Sequence, residues 1–335
     1  MPSDRSDVDQ RRQGTSPHIL FVRTDRLGET VLNLPVLHAL RTAWPLSRVT
    51  LMVNPLLREL FLGHPDLTDV VAEPSFEGSW WSRVWRLSRL WRSWKADVSI
   101  LSNPKKAYHL AAWFAGIPIR VGYDRKWGRL LTHRVPDRKA LNERHEIEAN
   151  LQLLGALGLT IPAEPVLSLP VSNEARQAVA SLLEGLNPHT DLIAVHPWTS
   201  NPRKQWPLDR FRALCEQLAA HTNVRVVLIG GSEERAHSAQ VLHDQPHLID
   251  LVGHLSLPQL AALLQKARVL VTNDSGPMHV AAAVGTRVVA LFGTADPGSH
   301  PKRWGPWGKG HRVIHKPLAD ISVDEVHEAV LRYLA

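Results

Sequence analysis

Short apolar runs rich in β-branched residues alternate with helix-length segments along the whole chain, and this alternation limits the possible folds more than any other feature. The runs occupy residues 18–23, 49–53, 98–101 and 119–123 in the first half, and 192–196, 224–229, 248–252, 269–272 and 288–292 in the second. Strands that alternate with helices form parallel sheets with helices on both faces. Two such series therefore predict two doubly wound α/β domains.

The chain has 335 residues, which suits two domains of roughly 150 residues each. We expect a first domain over residues 18–165 and a second over 166–321. Residues 143–158 have a helical pattern and, together with the proline-bearing segment after them, predict a linker. Residues 322–335 have apolar positions at helical spacing, so we expect a C-terminal helix that packs back on the first domain.

The composition is typical of a soluble globular protein, with 44% hydrophobic and 21% charged residues. No apolar run reaches the roughly 18 residues that a membrane span needs. Residues 1–17 are polar and lack the apolar core of a secretory signal, so they predict a disordered tail. We therefore expect a cytoplasmic protein.

Neither cysteine nor histidine usage indicates a metal or thiol site. Cys215 is the only cysteine and follows Phe211 and Leu214 in an apolar helical pattern, so we expect a core thiol rather than a nucleophile. The 18 histidines are scattered. His145 begins like a zinc-protease helix, but Ala149 stands where a second histidine is required. We expect no metal and no cofactor.

The formal net charge is +7, which indicates an anionic partner: nucleic acid, an acidic membrane surface or a phosphorylated substrate. Residues 80–95 interleave tryptophan with arginine and lysine. Such an amphipathic helix can lie on an anionic membrane, but the same spacing can bury it on the sheet with its arginines in solvent. Both interpretations stay open. No motif supports a nucleic-acid partner.

The first strand is followed by a turn, Thr24 to Glu29, at the sheet edge where ligands of open parallel sheets collect. Gly28 permits a tight backbone, and Glu29 falls in the first turn of a helix expected over residues 30–44. An ionised carboxylate there can remove a proton from an acceptor hydroxyl. The alternative is an acid that only stabilises a helix start.

Neither a G-x-G-x-x-G fingerprint nor a P-loop occurs, which argues against a nicotinamide enzyme. Three turns of the second half instead follow strands and are expected to converge on one crevice. The first carries Thr199, Ser200, Arg203 and Lys204, whose hydroxyls and cations suit a diphosphate. A solvated loop with two unrelated cations is the alternative.

The second turn places Glu233 and Glu234 after a Gly-Gly pair, where a ribose could be held by its hydroxyls, although a plain helix start has the same pattern. In the third turn, a cap by Asn273 or Asp274 would leave backbone amides directed at a phosphate. The alternative is an ordinary capped helix with a surface histidine. The third turn consists of Asn273, Asp274, Ser275, Gly276, Pro277, Met278 and His279.

Together these turns resemble the ADP-heptose:lipopolysaccharide heptosyltransferases, glycosyltransferase family 9. The resemblance runs from about residue 19 to the C-terminus, and the order and spacing of its motifs make it specific. The motifs are residues 19–23, Leu27-Gly28-Glu29, Leu34-Pro35, Gly122-Tyr123-Asp124, Lys204-Gln205-Trp206-Pro207, residues 273–279 and residues 292–297.

The resemblance implies a GT-B architecture, in which two Rossmann-like domains face each other across a cleft. It implies that the first domain holds the acceptor, that the second holds an ADP-sugar, and that transfer inverts the anomeric centre without an obligatory metal. By position, Glu29 matches the acidic base, Lys204 with Thr199 and Ser200 the diphosphate contacts, and Glu233 or Glu234 the ribose contact. Residues 274–279 match the donor turn.

One departure concerns the base. The family has Asp where this chain has Glu29, so the carboxylate lies about one methylene farther out, and Asp25 is the nearby substitute. The predicted partners are an ADP-sugar and an anionic lipid-linked core oligosaccharide, with a peripheral inner-membrane contact through residues 80–95. Two alternatives stay open: a transferase or epimerase of the same fold that uses another nucleotide sugar, and a non-catalytic nucleotide-sugar or lipid binder.

Overall fold

The computed structural model describes residues 16–187, 189–242 and 248–334, and the chain divides into two compact units between Val166 and Leu167. The expected domain boundary therefore differs by one residue from the one observed. The predicted disordered tail, residues 1–17, lies outside the described residues except for its last two.

The first unit is built on a six-stranded parallel sheet in the order β3-β2-β1-β4-β5-β6. Its strands are β1 (His18–Arg23), β2 (Arg48–Val53), β3 (Asp69–Ala72), β4 (Val98–Leu101), β5 (Ile119–Tyr123) and β6 (His133–Val135). Its helices are α1 (Leu27–Val31), α2 (Leu34–Ala43), α3 (Arg58–Phe61), α4 (Trp80–Trp94), α5 (Lys106–Phe114) and α6 (Glu146–Ala156). Every residue of β1 is buried, as expected for a strand covered on both faces.

The second unit repeats this plan with a six-stranded parallel sheet in the order β12-β11-β10-β7-β8-β9. Its strands are β7 (Asp191–His196), β8 (Val224–Leu228), β9 (Leu248–Asp250), β10 (Val269–Asn273), β11 (Arg287–Phe292) and β12 (Arg312–His315). Its helices are α7 (Asn173–Leu182), α8 (Leu208–Ala219), α9 (Ala239–Leu242), α10 (Leu257–Lys266), α11 (Gly276–Ala283), α12 (Pro301–Trp304) and α13 (Val323–Leu331).

Each sheet reverses its direction of strand addition once, and this reversal positions the site. In the first unit β1 pairs with both β2 and β4; in the second, β7 pairs with both β8 and β10. A crevice forms at the carboxyl ends of the two strands at such a reversal, because the connections on either side leave in opposite directions. The predicted doubly wound α/β fold is confirmed in both units.

The structure corrects several details of the predicted elements. Strands β3, β6 and β12, which are three or four residues long and lie at sheet edges, were not expected. The single helix expected over residues 30–44 is two helices, α1 and α2. Pro35, at the start of α2, has no N–H to donate to the carbonyl of Val31, so a continuous helix would lack that hydrogen bond.

The expected linker helix belongs to the core of the first unit. Ile147, Leu151 and Leu154 of α6 are buried, and Asn150 Oδ1 accepts a hydrogen bond of 2.9 Å from the hydroxyl of Tyr123. The C-terminal helix α13 also differs from its expected packing on the first domain. Val326 and Val330 belong to the core cluster of the second unit, where α13 contacts α8.

Three expectations from the composition concern Cys215, His145 and membrane-spanning segments. Cys215 is a buried free thiol on α8, and burial raises its pKa to about 12, which agrees with a core role. His145 is the N-cap of α6: its Nδ1 accepts from the amide of Ile147, and Glu148 accepts from the His145 amide. No helix among the described residues is long and apolar enough to cross a bilayer.

Trp206 anchors the core of the second unit and allows a test of its packing. Its indole is fully buried, meets Phe211 edge-on at 4.8 Å and donates to the carbonyl of Ile321 at 3.1 Å. Trp206→Ala should lower the free energy of unfolding by about 3–5 kcal/mol. The matched control Trp113→Ala removes a half-exposed indole and should change it by about 0.5 kcal/mol or less. Urea unfolding of the full chain measures both, and equal destabilisation would contradict this packing.

Candidate functional site

Asn273 joins the two turns at the reversal point of the second sheet. It ends β10 and is fully buried; its Oδ1 accepts from the amide of Trp206 at 2.9 Å, and its Nδ2 donates to the carbonyl of Pro197 at 2.6 Å. Both polar groups of the Asn273 side chain therefore form hydrogen bonds with the backbone of the turn that follows β7. The expectation that Asn273 caps α11 is wrong, because the tertiary partners occupy its oxygen.

Asp274 and Lys204 form the charged centre of this site. Lys204 Nζ lies 2.8 Å from Asp274 Oδ2, and both side chains are largely buried. Ser299, from the loop after β11, donates to the same oxygen at 2.5 Å, and Thr199 Oγ1 lies 3.4 Å from the Asp274 carbonyl oxygen. Asp274 thus pairs with a lysine instead of capping α11. Arg203 is exposed beside Lys204 in the same short helical turn.

Helix α11 begins at the expected place, but with a different cap residue. Its N-cap is Ser275, whose side chain makes no capping hydrogen bond, and Pro277 lies in the first turn as expected. The first-turn amides therefore keep the capacity to bind an anion at the positive end of the helix dipole. Ser275 Oγ instead lies 2.9 Å from Thr272 Oγ1 and 3.2 Å from Nδ1 of His196.

His196, at the end of β7, was not among the expected site residues. Burial lowers its pKa to about 4, so the ring is neutral at physiological pH and holds Ser275 by a hydrogen bond instead of a charge. Met278 and His279 are also buried, and the imidazole of His279 lies 6.5 Å from the ring of Trp304. The alternative of a surface histidine is therefore wrong, and Met278 is part of the buried core.

The second predicted turn lies next to the first, because Gly230 in the second turn contacts the Trp198 ring in the first. A Cβ on Gly230 would come within 2.7 Å of the Trp198 ring, so only glycine permits this approach. Glu234 Oε2 accepts from the amide of Gly231 at 2.6 Å, while Glu233 is exposed. The loop after β11 completes the edge, because Asn201 donates to Asp296 at 2.7 Å. Ser299 was missed, and Asp296 was expected only as part of the motif over residues 292–297, without a role of its own.

The first unit places Glu29 in the first turn of α1, as expected. Burial raises the pKa of its carboxyl group, and the negative charge of Asp25 adds to the rise against the opposing effects of a backbone hydrogen bond and of Arg23. Asp25 is ion-paired with the buried Arg23 at 2.7 Å, and Arg23 also donates to the carbonyl of Ser102 at 2.9 Å. The environment therefore favours Glu29 as the candidate base, because Asp25 is engaged in an ion pair.

A polar cluster that sequence reasoning missed lies at the same edge of this sheet. Tyr108, buried on α5, donates to Glu73 at 2.6 Å and lies 2.5 Å from Thr24 Oγ1. Lys105 Nζ donates to Thr24 at 2.9 Å and to Tyr108 at 3.1 Å, and Arg83 on α4 pairs with Glu73. Burial lowers the pKa of Lys105 and raises that of Tyr108. We name Thr24, Glu73, Arg83, Lys105 and Tyr108 the acceptor-side cluster, after the ligand that the family resemblance predicts for this unit.

This cluster has one carboxylate and two cations, and the cations are each about one third exposed. Its surplus positive charge at a ligand-binding sheet edge can receive an anionic group. Lys105 could have been found from sequence, because it follows a predicted strand as Glu29 does. Glu73 could not, because the strand before it, β3, is too short to give a clear pattern.

Comparison with known proteins identifies the family of this chain. The profile of glycosyltransferase family 9 (heptosyltransferase) matches residues 84–326. Lipopolysaccharide heptosyltransferase 2 of Salmonella typhimurium is 27% identical, over 92% of this chain and 96% of its own length. The crystal structure of a family 9 glycosyl transferase from Veillonella parvula superposes with a TM-score of 0.86 at 25% identity, covering 95% and 97% of the two chains.

A further solved structure, E. coli heptosyltransferase WaaC with ADP-2-deoxy-2-fluoro heptose, has a TM-score of 0.73 at 20% identity, covering 94% of this chain and 99% of its own. At that identity the likeness concerns the fold. The family profile covers more than half of the chain and agrees with the motifs found in the sequence. This chain therefore belongs to glycosyltransferase family 9, the heptosyltransferase family, and is a glycosyltransferase of the GT-B fold class.

Proposed function

We propose that this enzyme transfers a heptose from ADP-heptose to an anionic, lipid-linked lipopolysaccharide inner-core acceptor, with inversion and without a metal. The observation that carries the proposal is the start of α11, where uncapped amides adjoin the Lys204 and Asp274 pair. Membership of the heptosyltransferase family supports heptose as the sugar. The ADP-sugar analogue named for E. coli WaaC supports ADP-heptose as the donor.

The donor's diphosphate would bind at this edge of the second unit. The amides at the start of α11 supply hydrogen-bond donors, and Thr199 and Ser200 supply hydroxyls beside them. Asp274 compensates the charge of Lys204, so exposed Arg203 provides the additional cation that a doubly charged group requires. Negative charge that develops on the departing ADP is stabilised by these groups. Glu233, the exposed acid of the second turn, is the ribose contact we favour over Glu234.

Glu29 acts as the general base in a single displacement. Its carboxylate takes the proton of the acceptor hydroxyl while the hydroxyl oxygen forms a bond to the anomeric carbon. The bond from that carbon to the diphosphate oxygen breaks from the opposite face, so the configuration inverts and ADP leaves with the electron pair. The raised pKa of Glu29 makes it a stronger base than an ordinary glutamate. Asp25 is the alternative, although proton transfer to it would disrupt its ion pair with Arg23.

The acceptor-side cluster supplies recognition of the anionic core. Arg83 and Lys105 face a single carboxylate, Glu73, and can turn their remaining hydrogen-bonding capacity toward a phosphate or carboxylate of the acceptor. An acceptor anchored in a bilayer also requires the enzyme to work at the membrane surface, and residues 80–95 are the expected contact.

Transfer from ADP-heptose to a delipidated inner-core acceptor, followed by mass spectrometry, tests the proposal. Wild type should add one heptose, and Glu29→Gln, which cannot accept the proton, should lower kcat by about 10²–10⁴. The matched control Glu59→Gln lies on the short helix α3 and should retain activity. Absence of transfer from every donor to every acceptor in the panels would refute heptose transfer. Binding of ADP without transfer or hydrolysis, unaffected by Glu29→Gln, would instead favour a non-catalytic binder.

The pH dependence of kcat/KM separates the two candidate carboxylates. Glu29 must be ionised to act, so its raised pKa places the acidic fall in rate above the usual range of a glutamate. Asp25→Asn removes a neighbouring negative charge and makes ionisation of Glu29 easier, so the acid limb should move to lower pH. Asp69→Asn, a surface carboxylate paired with Arg48, serves as the control and should leave the limb in place. Loss of all activity in Asp25→Asn would assign the base to Asp25.

Two lysine substitutions should affect different substrates. Lys204→Met should raise KM for the donor by about tenfold, and Lys105→Met should raise KM for the delipidated acceptor by a similar factor, since each removes a charge-assisted hydrogen bond. Each variant controls for general damage in the other, and Lys95→Met, at the exposed end of α4, should change neither. Steady-state kinetics with one substrate varied at a time measures the effects. Exchanged or equal effects on both substrates would contradict the assignment.

A further inference from the structure

We infer that helices α4 and α5 present a docking surface for an anionic lipid bilayer, which we name the indole surface: Trp80, Trp81, Trp85 and Trp113. These four indoles are 40%, 53%, 52% and 49% exposed. The inference rests on the proposed function only in that a lipid-linked acceptor gives the enzyme a reason to meet a bilayer. Large exposed apolar patches on soluble proteins usually mark an interaction site.

The indoles join with partly buried rings into two neighbouring groups. Trp80 contacts Trp81 edge-on at 4.8 Å and Trp127 at 6.0 Å. Trp81 and Trp85 are one helical turn apart on α4, so they lie on the same side of it and connect this group to the next. The aromatic surface therefore does not end at the first turn of α4.

The second group of rings includes residues of α5. Trp85 stacks on Phe114 at 4.8 Å with an interplanar angle of 23°, and Phe114 contacts Trp113 at 4.9 Å. Packing of the first unit does not require the exposed faces of Trp81 and Trp85, because α4 is held by another side, about 100° around the helix from them. That side carries Val84, Leu87 and Trp91, which are fully buried. The core-helix interpretation of residues 80–95 therefore holds for these buried residues, and the membrane interpretation is what we propose for the exposed indoles.

Cations lie beside the indoles in the arrangement that a phospholipid surface favours. Arg89 and Arg92 follow Trp85 at the four- and seven-residue spacings of one helix side, and both are exposed. Lys106 Nζ lies 5.6 Å from the centre of the Trp127 ring. Indoles settle at the headgroup level of a bilayer, and neighbouring arginines and lysines attract anionic headgroups.

The same two helices carry residues of the acceptor-side cluster. Arg83 of α4 and Tyr108 of α5 contact Glu73, while Trp85 and Trp113 of these helices are exposed. A bilayer against the indole surface would therefore bring a lipid-linked acceptor to the helices that already position its proposed contacts. This continuity with the acceptor-side cluster, together with the cations, favours a bilayer over a second protein.

Sedimentation with vesicles tests the inference in the absence of donor and acceptor. Wild type should bind vesicles that contain phosphatidylglycerol more tightly than pure phosphatidylcholine vesicles, with a blue shift of tryptophan fluorescence. The pair Trp81→Ala and Trp85→Ala should lower the partition coefficient at least about tenfold, because apolar contact is lost. The pair Arg89→Gln and Arg92→Gln should lower it about 25-fold, or about fivefold for each arginine. Binding should weaken as salt is raised.

The pair Leu46→Ala and Leu56→Ala is the matched control, since these leucines are 83% and 82% exposed in the same unit but lie outside the indole surface. It should bind as wild type does. Trp113→Ala repeats the test from α5, so a folding defect in α4 cannot decide the result. Transfer to the delipidated acceptor should survive in every variant, which separates this inference from the proposed function.

Three results would overturn the inference. The first is absence of wild-type binding to anionic vesicles, and the second is equal binding to neutral and anionic vesicles. The third is self-association that the Trp81 and Trp85 pair abolishes while vesicle binding is unchanged, which would assign the surface to a second copy of the chain. Failure of heptose transfer in wild type would refute the proposed function without affecting vesicle binding.

Discussion

The carboxyl edge of the second unit's sheet depends on one buried side-chain amide. A buried polar side chain is costly unless its hydrogen bonds are satisfied, and Asn273 satisfies both of its groups on the turn after β7. Strands β7 and β10 are neighbours, but sheet pairing alone does not define the path of the loops beyond them. Asn273 holds Pro197 and Trp206 to the end of β10, and this brings Lys204 within reach of Asp274. The start of α11 is consequently left without a side-chain cap.

Burial governs the chemistry of both units in different ways. In the second unit, His196 is so deeply buried that it stays neutral, so it orders Ser275 without adding charge beside the proposed diphosphate site. In the first unit, partial burial strengthens Glu29 as a base, while Arg23 holds Asp25 in an ion pair. Two carboxylates a few residues apart thereby receive different environments, which is how a site can separate a base from a supporting acid.

Helices α4 and α5 have a double role. Their inner residues complete the core and contribute Arg83 and Tyr108 to the acceptor-side cluster, whereas their outer residues expose indoles. A helix has room for both because successive residues point in directions about 100° apart. The contacts of α4 with the sheet therefore leave about half of each outer tryptophan exposed, and the proposed use for this exposed surface is a bilayer.

The sequence by itself determined the doubly wound class, all the central strands and the turns that carry Glu29, Lys204 and residues 273–279. These follow from local periodicity and from the rule that parallel strands collect ligands at their carboxyl ends. Only the tertiary structure decided which residues form hydrogen bonds and ion pairs with each other. Whether Asn273 caps a helix or bridges two turns, and whether Lys204 is free or paired with Asp274, depends on residues about 70 positions apart. The short strands β3, β6 and β12 likewise could not be predicted from local sequence patterns. They are too short to show a periodicity, and pairing with the neighbouring strand of the sheet stabilises them.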